Sequence, residues 1–228
     1  MFDLLARLKH KTYVYSGNHE MAVRKGFGKY SILHNYSSEI SRGNNLVEVL
    51  YSYRSEDFDI IGYEEISKKE FHKPEMSKLC FTHVRGEIKP HVKWEIPPSV
   101  FDNYDLVITG DLHSHSNSQG KFIYPGSPLT TSFHRNKSTG NGYIIVDTDT
   151  LEWEWHSLSH LPQLIRKTVS SVEEMVATEY DWTIYEVEAN ILQSKSIQKS
   201  ELLDKKIVTG FAKDAVLNLK ETSVSEEM

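Results

Sequence analysis

The sequence predicts an α/β protein built as a layered sandwich, followed by a small α+β appendage. Three observations lead there. Runs of strand length, apolar or alternating, recur through residues 12–155, while no helical periodicity is sustained over a long stretch. Gly, Pro, Asn and Asp punctuate these runs at short intervals, as turns between strands require. Composition then shifts near Leu161-Pro162 to a polar stretch rich in Lys, Gln and Ser. These features divide the chain into a main domain over 1–161, an appended domain over 162–220, and an acidic tail over 221–228 too polar to fold.

The elements follow in order. Residues 2–9 set Leu4, Leu5 and Leu8 at helical spacing, as at the end of an amphipathic helix. A strand over 12–16 runs directly into Gly17-Asn18-His19. Residues 21–36, with Gly26, Gly28 and scattered aromatics, predict a loop with a short helix. Residues 45–51 alternate like a half-buried strand, and 58–63 read as its hairpin partner across the charged turn at 54–57. Residues 67–77 are polar around Pro74 and predict a loop or short helix. A strand leads into Thr82-His83; Pro90, Pro97 and Pro98 interrupt the chain before one helical turn over 98–104 and a strand over 105–109. Residues 114–120 form a polar loop, and 122–124 a strand closed by Pro125-Gly126-Ser127-Pro128. Residues 142–147 and 151–155 pair as a hairpin across Asp147-Thr148-Asp149-Thr150. Beyond the composition shift come a helix-like stretch (169–178) and strands at 182–187 and 206–209.

Composition excludes several classes. With 39% hydrophobic and 11% aromatic residues, the 228-residue chain can bury a core and is not a disordered polymer. A single cysteine, Cys80, rules out an internal disulfide framework and fits a reducing compartment. No run approaches a membrane span, and the N-terminus lacks a signal-peptide pattern, so a cytoplasmic protein is expected. The net charge of −6 argues against a general nucleic-acid coat, although a metal site draws phosphate locally whatever the surface around it carries.

The chemistry concentrates in three strings: Gly17-Asn18-His19-Glu20, Thr82-His83 and Gly110-Asp111-Leu112-His113. Each follows a strand-like run: 12–15, 79–81 and 105–108. Side chains at successive strand ends on one sheet edge can converge, and these supply amide oxygen, imidazole and carboxylate. Those are the donors of a hard or borderline divalent ion acting on phosphate. The donors are fewer than a complete site needs. His113 and His115 compete as the last ligand; Gly-x-x-His spacing favours His113 and leaves His115 to a loop near the phosphate. Pro125-Gly126-Ser127-Pro128 serves either as a plain turn or as an active-site wall. His134 and Arg135 read as a solvated loop, and Trp153 and Trp155 as packing on one strand face. His34, His72, His91, His156 and His160 have no motif around them.

In order, these strings resemble the second half of the calcineurin-like metallophosphoesterase signature: Gly-Asn-His-Asp/Glu, an isolated strand-end His, then Gly-His-x-His. Asp111 stands where the family usually has His. Tyr124-Pro125-Gly126-Ser127-Pro128-Leu129, Thr131-Ser132-Phe133 and the hairpin carrying Val146-Asp147 are similar to the SbcD-type nuclease branch, which includes phage recombination endonuclease subunits. The resemblance covers roughly residues 10–160.

The resemblance implies the metallophosphoesterase fold, a layered β-sandwich flanked by helices, with a small capping domain after the hairpin. It implies DNA phosphodiester hydrolysis in recombination or repair with two divalent ions, Mn²⁺ foremost and Mg²⁺ as the alternative, which activate water for in-line attack. Asn18, His83 and Asp111 would hold one ion and His113 the other; His19 would sit over the scissile phosphate and Glu20 orient its neighbours. His115, Gly126 and Ser127 would line the substrate side. Implied partners are DNA, an SbcC-like coiled-coil ATPase and a second copy of the chain. The family's opening elements, Asp-x-His and Gly-Asp-x-x-Asp, have no match in residues 1–16. A split gene, a misassigned start or a fragment completed by another chain is therefore expected, with a separate N-terminal fragment supplying the remaining ligands. The alternatives are a phosphoesterase of the same fold on non-DNA substrates and a non-catalytic scaffold.

Overall fold

The computed structural model describes residues 2–24, 28–69, 77–90, 92–133, 140–169, 174 and 182–187. A short helix α1 (Phe2–Leu5) precedes β1 (Thr12–Tyr15), a 3-10 turn (Asn18–Glu20), and a hairpin of β2 (Met21–Arg24) and β3 (Gly28–Ser31). A 3-10 turn (Ile32–Tyr36) and α2 (Ser37–Gly43) lead to β4 (Val47–Leu50), β5 (Ser52–Tyr53), β6 (Asp59–Ile61) and α3 (Tyr63–Lys68). Then come β7 (Leu79–His83), a 3-10 turn (Pro98–Phe101), β8 (Leu106–Gly110), a 3-10 turn (His115–Asn117), β9 (Phe122–Ile123), and the hairpin of β10 (Gly142–Val146) and β11 (Trp153–Ser157). Strands β12 (Leu164–Val169) and β13 (Trp182–Val187) follow.

The chain divides into two compact units: Met1–Pro128 with Gly140–Leu158, and Leu129–Thr139 with Ser159–Met228. In the first, five strands are ordered β5-β6-β7-β8-β9; β5 runs antiparallel to β6, and β6 through β9 are parallel. Alternate side chains of these parallel strands face opposite ways. Ile61, Cys80, Val107 and Phe122 join Ile66 of α3, Ile96, Phe101 and Tyr104 in one core. Leu79, Leu106, Ile108 and Ile123 form a second core, packed against Phe58, Phe81, Leu151 and the β10 residues Ile144 and Val146. A parallel sheet covered on both faces explains the nearly continuous apolar runs of β7 and β8.

A buried polar network closes the sheet edge where these strands begin. Tyr104 donates to Asp59 Oδ2 at 2.7 Å, while Arg54 donates to Glu65 Oε1 at 2.9 Å and to the Ile60 carbonyl at 2.8 Å. Pairing these charges and carbonyls avoids the penalty of burying them alone.

Two pairings differ from the sequence pattern. Residues 47–50 pair in parallel with β1, Thr12 opposite Val47 and Tyr15 opposite Leu50; only Ser52–Tyr53 turns back on β6. Alternation marks a half-buried strand but is silent about its neighbour. Residues 21–24 and 28–31 form a hairpin rather than a loop, because cross-strand pairing overrides a weak local pattern.

In the second unit β12 and β13 are parallel, Leu164 opposite Trp182 and Val169 opposite Val187. The Leu164 N–H donates to Thr130 Oγ1 at 2.7 Å, and Ile165, Val169 and Tyr185 are buried. The strand at 164–169 carries no clear signal in the sequence. Most of the helix-like stretch at 169–178, the strand expected at 206–209 and the acidic tail lie outside the described residues. Among the described residues no helix is long and apolar enough to cross a membrane.

Candidate metal centre

Parallel strands in register deliver their ends to one edge. Ile61 lies opposite Thr82, and His83 opposite Gly110, so Gly62-Tyr63, His83 and Gly110-Asp111 emerge side by side. The end of β1 is tied to the same edge: the Tyr63 N–H donates to the Ser16 carbonyl at 3.0 Å, and the Tyr15 hydroxyl to the Thr82 carbonyl at 3.2 Å. The Asn18–Glu20 turn is closed by Glu20, whose carboxylate accepts the Gly17 N–H at 2.8 Å. Glu20 thus shapes the turn.

Three of the sequence-predicted donors meet here. His83 Nε2 lies 3.2 Å from Asn18 Oδ1 and 3.6 Å from Asp111 Oδ1, and the Asn18 amide donates to Asp111 Oδ1 at 3.0 Å. The polymer separates them by up to 93 residues. Asp111 takes φ +88°, a left-handed conformation that Asp tolerates better than most side chains and that turns the chain sharply out of β8. The His83 ring sits between two glycines. A Cβ on Gly17 would come within 2.7 Å of its Cε1, and one on Gly110 within 2.5 Å of its Nδ1. Only hydrogen at both positions leaves room for the imidazole.

The donor chemistry fits a divalent ion. Ligand bonds of about 2.1 Å in an octahedron put neighbouring donors about 3 Å apart, against 3.2 and 3.6 Å from His83 Nε2 to Asn18 Oδ1 and Asp111 Oδ1. An amide oxygen, a carboxylate and an imidazole suit Mn²⁺ or Mg²⁺. Among the described residues no three His, Cys, Asp or Glu side chains are grouped to hold an ion, so His113 does not join His83 and Asp111 in one cluster.

His113 is exposed, and its carbonyl accepts the Ser127 N–H at 3.1 Å. His19 is exposed in the same turn as Asn18. His115 is half-buried: its Nδ1 lies 2.7 Å from the Tyr124 carbonyl, and its ring stacks on Trp155 at 4.6 Å. That gives His115 a packing role. The Pro125–Pro128 loop is pinned on several sides: Trp155 Nε1 donates to the Pro125 carbonyl at 2.9 Å, and Asn141 donates to the Ser127 carbonyl and Oγ at 2.9 Å each. Gly126 has φ +81°, and a Cβ there would fall 2.2 Å from the Gly140 carbonyl oxygen. Gly126 and Ser127 are thus held against the His113 carbonyl.

Motif reading misses Tyr63 and Glu95. The Tyr63 ring meets His83 edge to face, centroids 5.9 Å apart, and its hydroxyl is hydrogen-bonded to Glu95 Oε1. Burial, then the Glu95 carboxylate, pushes the Tyr63 phenol well up, so the hydroxyl stays protonated and donates. The usable signal was its place just past the end of β6, the parallel neighbour of the strand carrying His83.

No family model matches the chain. Over 233 aligned residues it is 48% identical to the Escherichia phage T5 protein called Probable exonuclease subunit 1; the alignment takes in 99% of this chain and 70% of that relative.

Proposed function

The chain belongs to the family of that phage T5 exonuclease subunit, and from this premise we propose that it is the catalytic subunit of an SbcD-like, metal-dependent DNA nuclease acting in recombination or repair. One observation carries the metal part: Asn18, His83 and Asp111 come from three distant strings yet present an amide, an imidazole and a carboxylate within 3.6 Å of one another.

Asn18, His83 and Asp111 would hold one divalent ion, and His113 would serve a second. Such ions, Mn²⁺ foremost, supply Lewis-acid polarisation of a phosphoryl oxygen and lower the pKa of water. Asp111 brings the negative charge that balances the cation. Asn18 adds an uncharged donor, leaving the centre net positive toward an incoming phosphodiester, whatever the overall charge of −6. His19, exposed beside Asn18, is free to meet the phosphate and to protonate the leaving oxygen. The wall of Gly126 and Ser127 limits the direction of approach. Three donors fall short of the six that a hard ion takes. Water and substrate oxygens would complete the shell, together with the Asp-x-His and Gly-Asp-x-x-Asp elements that the family resemblance implies. The proposed partners are DNA, an SbcC-like coiled-coil ATPase and a second copy of the chain, in the cytoplasm.

The test is Mn²⁺-dependent cleavage of linear duplex DNA by the protein alone, and with a polypeptide carrying those two elements. Little cutting is expected alone and clear cutting together. Changing His19→Ala should lower kcat by roughly 10²–10⁴ while Mn²⁺ binding persists. Undiminished cutting after Asp111→Ala overturns the site. Hydrolysis of a chromogenic bis-ester with no preference for DNA would mark a phosphoesterase of other substrates. Full activity of the complex with His19→Ala would mark a non-catalytic scaffold.

A further inference from the structure

His83 carries the one imidazole of the converging donors, and its ring must stand at one angle for Nε2 to face both Asn18 and Asp111. Gly17 and Gly110 bound the ring without gripping it, since each offers only backbone. A further constraint comes from Tyr63, whose edge abuts the ring at an interplanar angle of 88°. Tyr63 is itself held at both ends. Its N–H is bonded to Ser16, the residue before Gly17, and its hydroxyl to Glu95. Glu95 in turn is fixed to the chain just past His83: its Oε2 accepts the Arg85 N–H at 3.3 Å, and its own N–H donates to the Arg85 carbonyl at 3.0 Å. The path Ser16–Tyr63–Glu95–Arg85 thus links the chain leading into Asn18 to the chain leaving His83.

We propose that Tyr63, anchored by Glu95, is a positioning residue that sets the His83 ring angle and thereby the affinity of the centre for its ion. Neither residue is a ligand. This inference rests on the divalent-ion reading of the site. Partners behind a metal-binding imidazole commonly tune affinity through ligand orientation.

The experiment compares the unaltered protein with Tyr63→Phe, which keeps the ring edge and removes only the Glu95 anchor, and with Glu95→Gln, which keeps a hydrogen-bond acceptor. Free Mn²⁺ is titrated by electron paramagnetic resonance, and the His83 Cε1–H signal, identified by its loss in His83→Ala, is followed by NMR without metal. Expected are a roughly tenfold loss of Mn²⁺ affinity in Tyr63→Phe, a doubled or broadened His83 signal, and a smaller effect of Glu95→Gln. In a His83→Ala background Tyr63→Phe should change Mn²⁺ affinity no further. A sharp, unshifted His83 signal with unchanged affinity in Tyr63→Phe overturns the proposal, as does an undiminished effect in the His83→Ala background. If the unaltered protein takes up no Mn²⁺ while the His83 signal still responds to Tyr63→Phe, the ion reading fails and the positioning contact stands.

Discussion

At the scale of residues, the proposed centre depends as much on missing atoms as on present ones. Gly17 and Gly110 leave the space that the His83 imidazole fills. Gly110→Ala should therefore displace the ring and weaken Mn²⁺ binding by roughly tenfold or more, read by titration of free Mn²⁺. Backbone geometry at 110 is ordinary, so folding should survive, and unaltered binding would show that the ring has another place to go. Gly126 is a different case. Its φ of +81° and the Gly140 carbonyl 2.2 Å from a would-be Cβ make Gly126→Ala costly to folding itself, by more than about 1 kcal/mol. The check is a lowered urea midpoint. Motif spacing made Asn18, His83 and Asp111 legible beforehand. The same reading put His115 in a loop near the phosphate; in the fold its Nδ1 lies against the Tyr124 carbonyl and its ring stacks on Trp155.

At the scale of elements, β7 and β8 bury the core along their length and present the proposed site only at their ends. Leu79 is fully buried where β7 begins, at the far end of the strand from His83. Leu79→Ala should cost about 2–5 kcal/mol, measured by equilibrium unfolding, while a folded sample keeps its Mn²⁺ affinity. The β10–β11 hairpin offers a pH test. Backbone N–H groups of Thr150 and Asp149 donate to Asp147 Oδ1 at 2.8 and 3.0 Å and hold its carboxyl below the ordinary 3.8. A depressed carboxyl stabilises the fold above its ordinary pKa, and that contribution is lost as pH falls from 3.8 through the folded value. The stability gap between the unaltered protein and Asp147→Asn should accordingly narrow below pH 3.8. That turn was readable from Asp-Thr-Asp-Thr; the parallel partnership of β1 with β4 was not, because alternation records burial without naming a neighbour.

At the scale of the whole molecule, an ion bound only by the folded state must raise stability. At a Mn²⁺ concentration one hundred times its Kd the gain is about 2.7 kcal/mol, or a Tm higher by several degrees. The rise should vanish with Asn18→Ala, and its absence from the unaltered protein would count against the centre. The sequence by itself determined which donors are available, which strands carry them, and that turns rather than long helices punctuate the main domain. Those are local matters, written in residue types and spacings. Only the tertiary structure decided that Asn18, His83 and Asp111 meet while His113 stands outside their cluster, that β4 lies beside β1, and that Tyr63 and Glu95 brace the imidazole. Such facts depend on strand register and on contacts between residues far apart in the polymer, and no local spacing encodes them.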